Sequence, residues 1–547
     1  MDVLDLSRWQ FGITTVYHFI FVPLTLGLTV LVAIMQSIWM GTKKEGWYRA
    51  TKFFGKLMVI NFALGVATGI VQEFQFGMNW SGYSAYVGDV FGAPLAFEGL
   101  MAFFLESTFL GLWIFGWGRL SRKAHLASAW AFALATNISA FWIITANGFM
   151  QHPVGAEYNP ETGRAELVDF GKLLGNPAGL LAFAHVISAS FLLSATFVAG
   201  IAGWWMSRIV RNYSQNNPAQ NTLLQSNVAE GSAVEKATDK AAKKAAKKAA
   251  KDSIGAHTIK DAETVFRPAF RLGLLVMIIS GILVIVSGHY QMQWVFDDQP
   301  MKAASAEVLC KTETDPNLSL LSKAPGNNCE NADEIMGIPG MLSWLIDGKT
   351  SGVTVEGIEN LQHKYEKMYG PGDYRPNILV TYWCFRLMIA MGVFSLILAI
   401  IGLVVTSKGK MPSSKHFERF AVFCLPFPFI GHALGWIMTE MGRQPWIVHP
   451  NPSGDPRIHL TVDEAVSPLA PHEVWISVIG FTLVYLILAV VWFYLMRRYT
   501  AVGLRPADKE PLPEFKDDDN DGYPDYAHDE NGDPTPLLSL IHISEPT

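Results

Sequence analysis

The sequence predicts an all-α integral membrane protein of nine transmembrane helices, with its N-terminus outside and its C-terminus cytoplasmic. Three observations predict it. The 547 residues are 50% apolar and 12% aromatic but only 16% charged, against about 25% in soluble domains, and the mean hydropathy is +0.23. Nine apolar runs reach about 20 residues, the length a helix needs to cross hydrocarbon. Lys and Arg gather in alternate connections between those runs. A chain so poor in charge is not a disordered polymer, a nucleic-acid-binding domain or an ordinary cytosolic enzyme, each of which needs a polar or basic surface. The net charge of -6 is carried by loops and an acidic tail, and four cysteines are too few for a disulfide scaffold.

The runs are, in order, Phe11 to Met40, Lys52 to Gly77, Ala93 to Trp117, Ala127 to Met150, Ala178 to Met206, Phe270 to Met292, Asn377 to Val405, Phe420 to Glu440 and Val474 to Met496. No basic leader with a small-residue cleavage site precedes the first, so it is expected to stay in the mature protein. Cytoplasmic connections are marked by Lys43, Lys44, Arg49 and Lys52, by Arg119, Arg122 and Lys123, by a long basic loop, by Lys408, Lys410, Lys415 and Arg419, and by Arg497 and Arg498. The stretch from Asn79 to Asp89 has no Lys or Arg and reads as an outside loop. The organisation is therefore residues 1–210 with spans one to five, 211–267 a basic cytoplasmic loop, 268–292 span six, 293–375 an outside loop, 376–500 spans seven to nine, and 501–547 an acidic cytoplasmic tail.

Three segments lie outside the spans. The loop 211–267 contains KATDKAAKKAAKKAAKD, a strong helix former with Lys240, Lys244, Lys248 and Lys251 along one side. It reads either as a solvated charged helix or as a surface attracted to anionic lipid. The loop 293–375 is too long to be a mere connector and holds Cys310 and Cys329, whose pairing is expected on the oxidising side of the membrane. The tail sequence DDDNDGYPD spaces Asp517, Asp519, Asp521 and Asp525 around Gly522 in a calcium-loop-like pattern, but it lacks the closing Glu; a disordered acidic tail is the plainer reading. The terminal LLSLIHISEPT is apolar again and reads as a non-native scar.

Ionisable groups inside a span are costly, so each is a candidate for function. They are His18, Lys56, Glu73, Glu98, Glu106, His185, His289, Arg386, His432 and Glu440. At 1.5 Å per residue, His18, His185 and Glu98 lie roughly 8 to 12 Å below the outer surface, Met388 roughly 18 Å, and Glu440 at the outer end of its span. Imidazole, thioether and carboxylate gathered in one half of an apolar bundle suit haem iron better than zinc or calcium. Taken singly, an intramembrane His more often bonds a neighbouring helix, and a Met more often fills a gap. Glu98 and Glu106, eight residues apart, are either successive steps of a proton relay or two locally bonded acids. Arg386 and Arg443 are natural partners for haem propionates.

The stretches FGAPLAFEGLMAFFLESTF (Phe91 to Phe109) and GWIMTEMGRQPW (Gly435 to Trp446), with YHFIFVPLTLG near the N-terminus, resemble subunit I of the bacterial cytochrome bd quinol oxidases over nearly all the spans. The resemblance implies His185 and Met388 as axial ligands of a low-spin haem b, with Met391 a neighbouring alternative that the register of Arg386 disfavours. It implies His18 and Glu440 as proximal ligands of the two active-site haems, His18 serving haem d (or a b-type haem in its place) and Glu440 the high-spin haem b, although the two positions are known to exchange within the family. It places Glu98 beside the oxygen-binding haem, Glu106 and Ser139 on a proton route from the cytoplasmic side, and Trp436 and Arg443 beside the haems and their propionates. QPMKAASAE sets Lys302 and Glu307 at the spacing of residues implicated in quinol oxidation, where a carboxylate can take a hydroxyl proton; a surface ion pair is the plain alternative.

By the same resemblance the chain is the catalytic subunit of a quinol:dioxygen oxidoreductase. It would oxidise quinol outside, reduce dioxygen to water with protons from inside, and build a proton motive force without pumping. Its partners would be a haem-free subunit II in the bacterial cytoplasmic membrane, with small accessory subunits left open, and it would bind no nucleic acid. The outside loop is short, as in the short-loop branch; Cys310, Cys329 and the Ala/Lys insertion depart from the family pattern, and His432 matches no ligand. A secondary transporter would tend to show internal repeats and broken helices with Gly or Pro pairs, and no convincing repeat is present. A non-catalytic haem b electron carrier would need only His185 and Met388.

Overall fold

The computed structural model describes residues 2–216, 257–323 and 329–504. The Ala/Lys run, the Asp-rich tail and the terminal LLSLIHISEPT lie outside the described residues. Nine described helical segments are long and apolar enough to cross a membrane: Val3–Thr42, Glu45–Met78, Ser81–Phe115, Arg122–Gln151, Phe170–Gln215, Ile259–Asp298, Ile378–Val405, Lys415–Met441 and Pro471–Val502. They match the nine apolar runs in number and order.

The irregularities of the first and third bear on the site. The first divides into α1 (Val3–His18) and α2 (Val22–Thr42). Pro23 opens α2 and has no N–H to carry the helix across from Phe19. Asn61 of α3 (Glu45–Met78) pins the break, donating to the Phe21 carbonyl at 2.8 Å and to Thr25 Oγ1 at 2.9 Å. The third comprises α4 (Ser81–Phe97), a π-helical turn at Glu98–Phe103, and α5 (Phe104–Phe115). Most of the stretch from Asn79 to Asp89 is thus helix, not loop. Its buried residues Tyr83, Val87, Val90, Phe91 and Pro94 form a stripe on one face, and a stripe does not register as a continuous apolar run.

The long helix α7 (Pro177–Asn216), numbered after α6 (Arg122–Gln151), packs between α2 and α8 (Arg267–Asp298). Lipid gives helices no hydrophobic reason to associate, so close backbone approach through small residues matters. At Gly27 a Cβ would stand 2.5 Å from Ser194 Oγ and 2.6 Å from the Ser190 carbonyl; at Gly273 it would stand 2.9 Å from the Ala195 carbonyl. Around these approaches Leu28, Phe54, Leu193, Phe270 and Leu274 are fully buried.

Between α8 and α10 (Ile378–Val405), the described part of the connecting segment packs back onto both helices. It begins with the short buried helix α9 (Pro300–Glu307) and includes an antiparallel ladder between Leu318–Lys323 and Asp333–Ile338. Cys310 and Cys329 are paired, as their expected compartment implied. The bundle closes with α11 (Pro426–Met441) and α12 (Pro471–Val502).

Candidate functional site

His18 is the last residue of α1, and its ring is held by α3. Its Nδ1 lies 2.8 Å from Thr68 Oγ1, and Thr68 spends its own hydroxyl proton on the carbonyls of Leu64 and Gly65. Thr68 must therefore accept, Nδ1 donates, and the lone pair is left on Nε2. Gly69 faces the ring; a Cβ there would stand 3.3 Å from Cε1 and 3.8 Å from Nε2.

His185, in the third turn of α7, repeats the arrangement. Its Nδ1 lies 3.1 Å from Ser287 Oγ, which donates to the Leu283 carbonyl at 2.7 Å. Gly288 faces this ring, with a Cβ position 3.0 Å from Cε1. Met388 on α10 faces Gly435 on α11, where a Cβ would stand 2.8 Å from Sδ. Two imidazoles with Nδ1 tied to helix hydroxyls and a thioether set against a glycine are the donor set and outer support that haem iron takes. The residues present therefore fit the group.

Glu440, near the end of α11, is surrounded by donors. It pairs with Arg443 and accepts from Asn147 Nδ2 at 3.0 Å and Gln151 Nε2 at 3.5 Å. Arg443 also donates to the Ile447 carbonyl at 2.7 Å. Trp436 stacks on Phe19 at 4.9 Å, so α11 meets α1 at the residue after His18.

Glu98 opens the π-helical turn and accepts from Ser139 Oγ at 2.8 Å. Glu98 lies within electrostatic reach of both Glu106 and Glu73. Eight residues at 3.6 per turn make about 2.2 turns. The wider π turn brings that closer to two whole turns, and so Glu106 closer to the face of Glu98.

The helix α9 carries Lys302 and Glu307 and is buried along its length. Glu307 pairs with Arg386 Nη2 at 2.5 Å, and the Arg386 guanidinium lies 5.0 Å from the rings of Tyr382 and Phe385. Burial raises the Glu307 carboxyl above its usual range, and Arg386 offsets part of the rise. Lys302 Nζ donates to Gln151 Oε1 at 2.8 Å. Burial, aided by the Arg443 charge, pushes the Lys302 ammonium down to about 7, with Glu440 and Asp298 opposing. Read from sequence as propionate partners, Arg386 and Arg443 here reach the protein carboxylates Glu307 and Glu440.

Sequence reasoning missed the amides. Gln151 and Asn147 on α6 both reach Glu440, and Gln299 donates to the Gln151 carbonyl at 2.7 Å. The neighbouring His152 Nδ1 meets Asp298 at 2.9 Å. Screening spans for ionisable groups passes over neutral amides, although Asn147 and Gln151 stand at i and i+4 on one helix face. His432 remains without an assigned role: its Nδ1 donates to the Pro428 carbonyl at 2.8 Å, while Nε2 is buried with no partner among the described residues.

The family model for cytochrome bd terminal oxidase subunit I matches residues 6–252 and 252–504. The chain is 38% identical over 515 residues to a cytochrome bd ubiquinol oxidase subunit 1 of Bacillus subtilis, covering 94% of this chain and 97% of that one. It is 36% identical over 531 residues to the cytochrome bd-II ubiquinol oxidase subunit 1 of Escherichia coli, covering 92% and 97%. Its fold is similar to a chain of the bd oxidase from Geobacillus thermodenitrificans, with a TM-score of 0.72 at 22% identity over 93% of this chain and 99% of that one.

Proposed function

Since this chain belongs to the cytochrome bd terminal oxidase subunit I family, we propose that it is the haem-bearing subunit that joins quinol oxidation on the outer face to dioxygen reduction within the membrane. It is a multi-pass membrane protein and a quinol:oxygen oxidoreductase of the respiratory chain. The finer reading assigns a role to each part of the site.

His185 and Met388 would hold a low-spin haem b. His18 and Glu440 would hold the active-site pair, a haem d (or a b-type haem in its place) and a high-spin haem b, with Trp436 packed beside them. When bound, the haems accept the quinol's electrons and reduce dioxygen to water, chemistry that is the cofactor's own. The protein supplies ligands, orientation and proton access. Thr68 and Ser287 hold each imidazole by Nδ1, so that Nε2 would be the ligating nitrogen. Arg443, Asn147 and Gln151 orient Glu440 and compensate its charge.

Quinol would bind against α9. Glu307, whose carboxylate is made a better proton acceptor by burial, would take the two hydroxyl protons in turn, and Lys302 would donate to the ring oxygen. Arg386 would hold Glu307 in place and Glu307 would release its proton outward. Glu106 and Ser139 would bring protons from the cytoplasmic side to Glu98. With the N-terminus outside and the C-terminus inside, consuming protons on one face and releasing them on the other builds a proton motive force without a pump. A haem-free subunit II, the quinol and dioxygen would be the partners, in the cytoplasmic membrane of a bacterium.

The observation that carries this reading is the pair of imidazoles, His18 and His185, each with Nδ1 tied to a helix hydroxyl. A reduced-minus-oxidised spectrum of the purified complex, taken with quinol-dependent dioxygen uptake, tests it. Low-spin and high-spin haem signals with uptake are expected. A single low-spin haem without uptake would reduce the chain to an electron carrier, and no haem would end the reading.

A further inference from the structure

The short helix α9 is tied at each end to a different ligand-bearing helix. Its Glu307 end reaches Arg386, two residues from Met388 on α10. Its Lys302 end reaches Gln151, and the other end of that amide reaches Glu440 on α11. A lysine ammonium has only donors and an ionised carboxylate only acceptors. An amide between them satisfies both in one orientation, with Oε1 toward Lys302 at 2.8 Å and Nε2 toward Glu440 at 3.5 Å. Gln299 secures the same orientation, donating to Gln151 Oε1 at 3.1 Å and to the Gln151 carbonyl at 2.7 Å.

We propose that Gln151 is a positioning residue that couples the quinol-side Lys302 to the iron-ligating Glu440. The inference rests on the ligand and quinol roles given above. Its physical content is that position 151 requires a side chain with an acceptor on one side and a donor on the other. A carboxylate there would keep Lys302 and face Glu440 with like charge. An apolar side chain would free Lys302 to reorient and leave Glu440 to Arg443 and Asn147 alone. Gln151 is the last residue of α6, and the adjacent His152 is bonded to Asp298. The amide therefore stands at a corner fixed independently of the coupling.

The test uses the complete haem-loaded oxidase in membranes, with Gln151→Leu and Gln151→Glu beside the wild type. Three quantities are read: the quinol KM, the midpoint potential of the high-spin haem on Glu440, and the midpoint of the low-spin haem. Gln151→Leu is expected to raise the quinol KM about ten-fold, the worth of one hydrogen bond to a charged group, and to displace the high-spin midpoint while the low-spin midpoint stays. Gln151→Glu is expected to keep the KM within about two-fold, because the Lys302 contact survives, and still to displace the high-spin midpoint. Should Gln151→Leu fail to assemble, Gln151→Glu carries the test alone. An unchanged high-spin midpoint in either variant, or equal displacement of both midpoints, overturns the proposal and leaves Gln151 a structural clamp. Failure of the underlying functional reading is distinguishable, because the wild type itself would then lack the haem signals or the quinol-dependent uptake.

Discussion

The surroundings of α9 and the apolar core between α2, α3, α7 and α8 are held together in different ways. In the core, Leu28, Phe54, Phe270 and Leu274 are wholly buried and the helices meet at glycine. Around α9, neighbouring elements are joined by side-chain hydrogen bonds: Lys302 to Gln151, Gln299 to Gln151, and Arg386 to Glu307. The difference teaches where the chemistry sits. Packing by shape stabilises the bundle without favouring any reaction, whereas buried polar groups are tolerated where they orient ligands and move protons.

The largest expected break falls on the ligands. Glu440→Ala should lower quinol-dependent dioxygen uptake at least about a hundredfold, since even the outer partners of metal ligands are worth ten- to a hundredfold. The low-spin signal should survive, because His185 and Met388 lie on other helices. Arg386→Leu comes next. It leaves the Glu307 carboxyl buried without its counter-charge, a cost of about 3–5 kcal/mol, and should lower both thermal stability and quinol affinity. Phe270→Ala in the core removes a fully buried ring at a similar cost of about 3–5 kcal/mol. It should lower thermal stability while the quinol KM of the folded enzyme stays. Equal losses of quinol affinity in these two variants would erase the distinction between the two regions.

Smaller effects sharpen it. Thr68→Val removes the partner that orients His18 and should cost about ten-fold in activity, with an altered high-spin spectrum. The pH dependence of quinol binding should follow Lys302. With its ammonium pushed down to about 7, it is charged below that pH and neutral above. A cation at the ring oxygen favours binding, so the quinol KM should be lower on the acid side and rise as pH passes 7. In Lys302→Gln that rise should vanish, and its persistence would assign the titration to another group.

Much of this was legible in the sequence, and the rest was hidden for physical reasons. Nine spans could be read because continuous apolar runs announce themselves, but the N-terminal half of the third span could not, because Tyr83, Val87 and Val90 form a stripe between polar residues. The break after His18 was signalled only by Pro23, which a hydropathy scan treats as one more residue of the run. His18, Glu98, His185 and Glu440 stood out because charge or imidazole inside a membrane is costly. Their orienting partners Thr68, Ser287, Asn147 and Gln151 did not, because hydroxyls and amides are common in helices and acquire a role only when another helix brings a ligand beside them. Arg386 was visible as a buried charge, yet its pairing with Glu307 depends on how α9 folds back onto α10.

The ligand set is tested most directly by a density map of the haem-loaded complex. Macrocycles are expected whose iron is bound by His18, by Glu440, and by His185 with Met388, each imidazole through Nε2. Iron bound instead by His432 or Met391, or no macrocycle against His18 and Glu440, would contradict it.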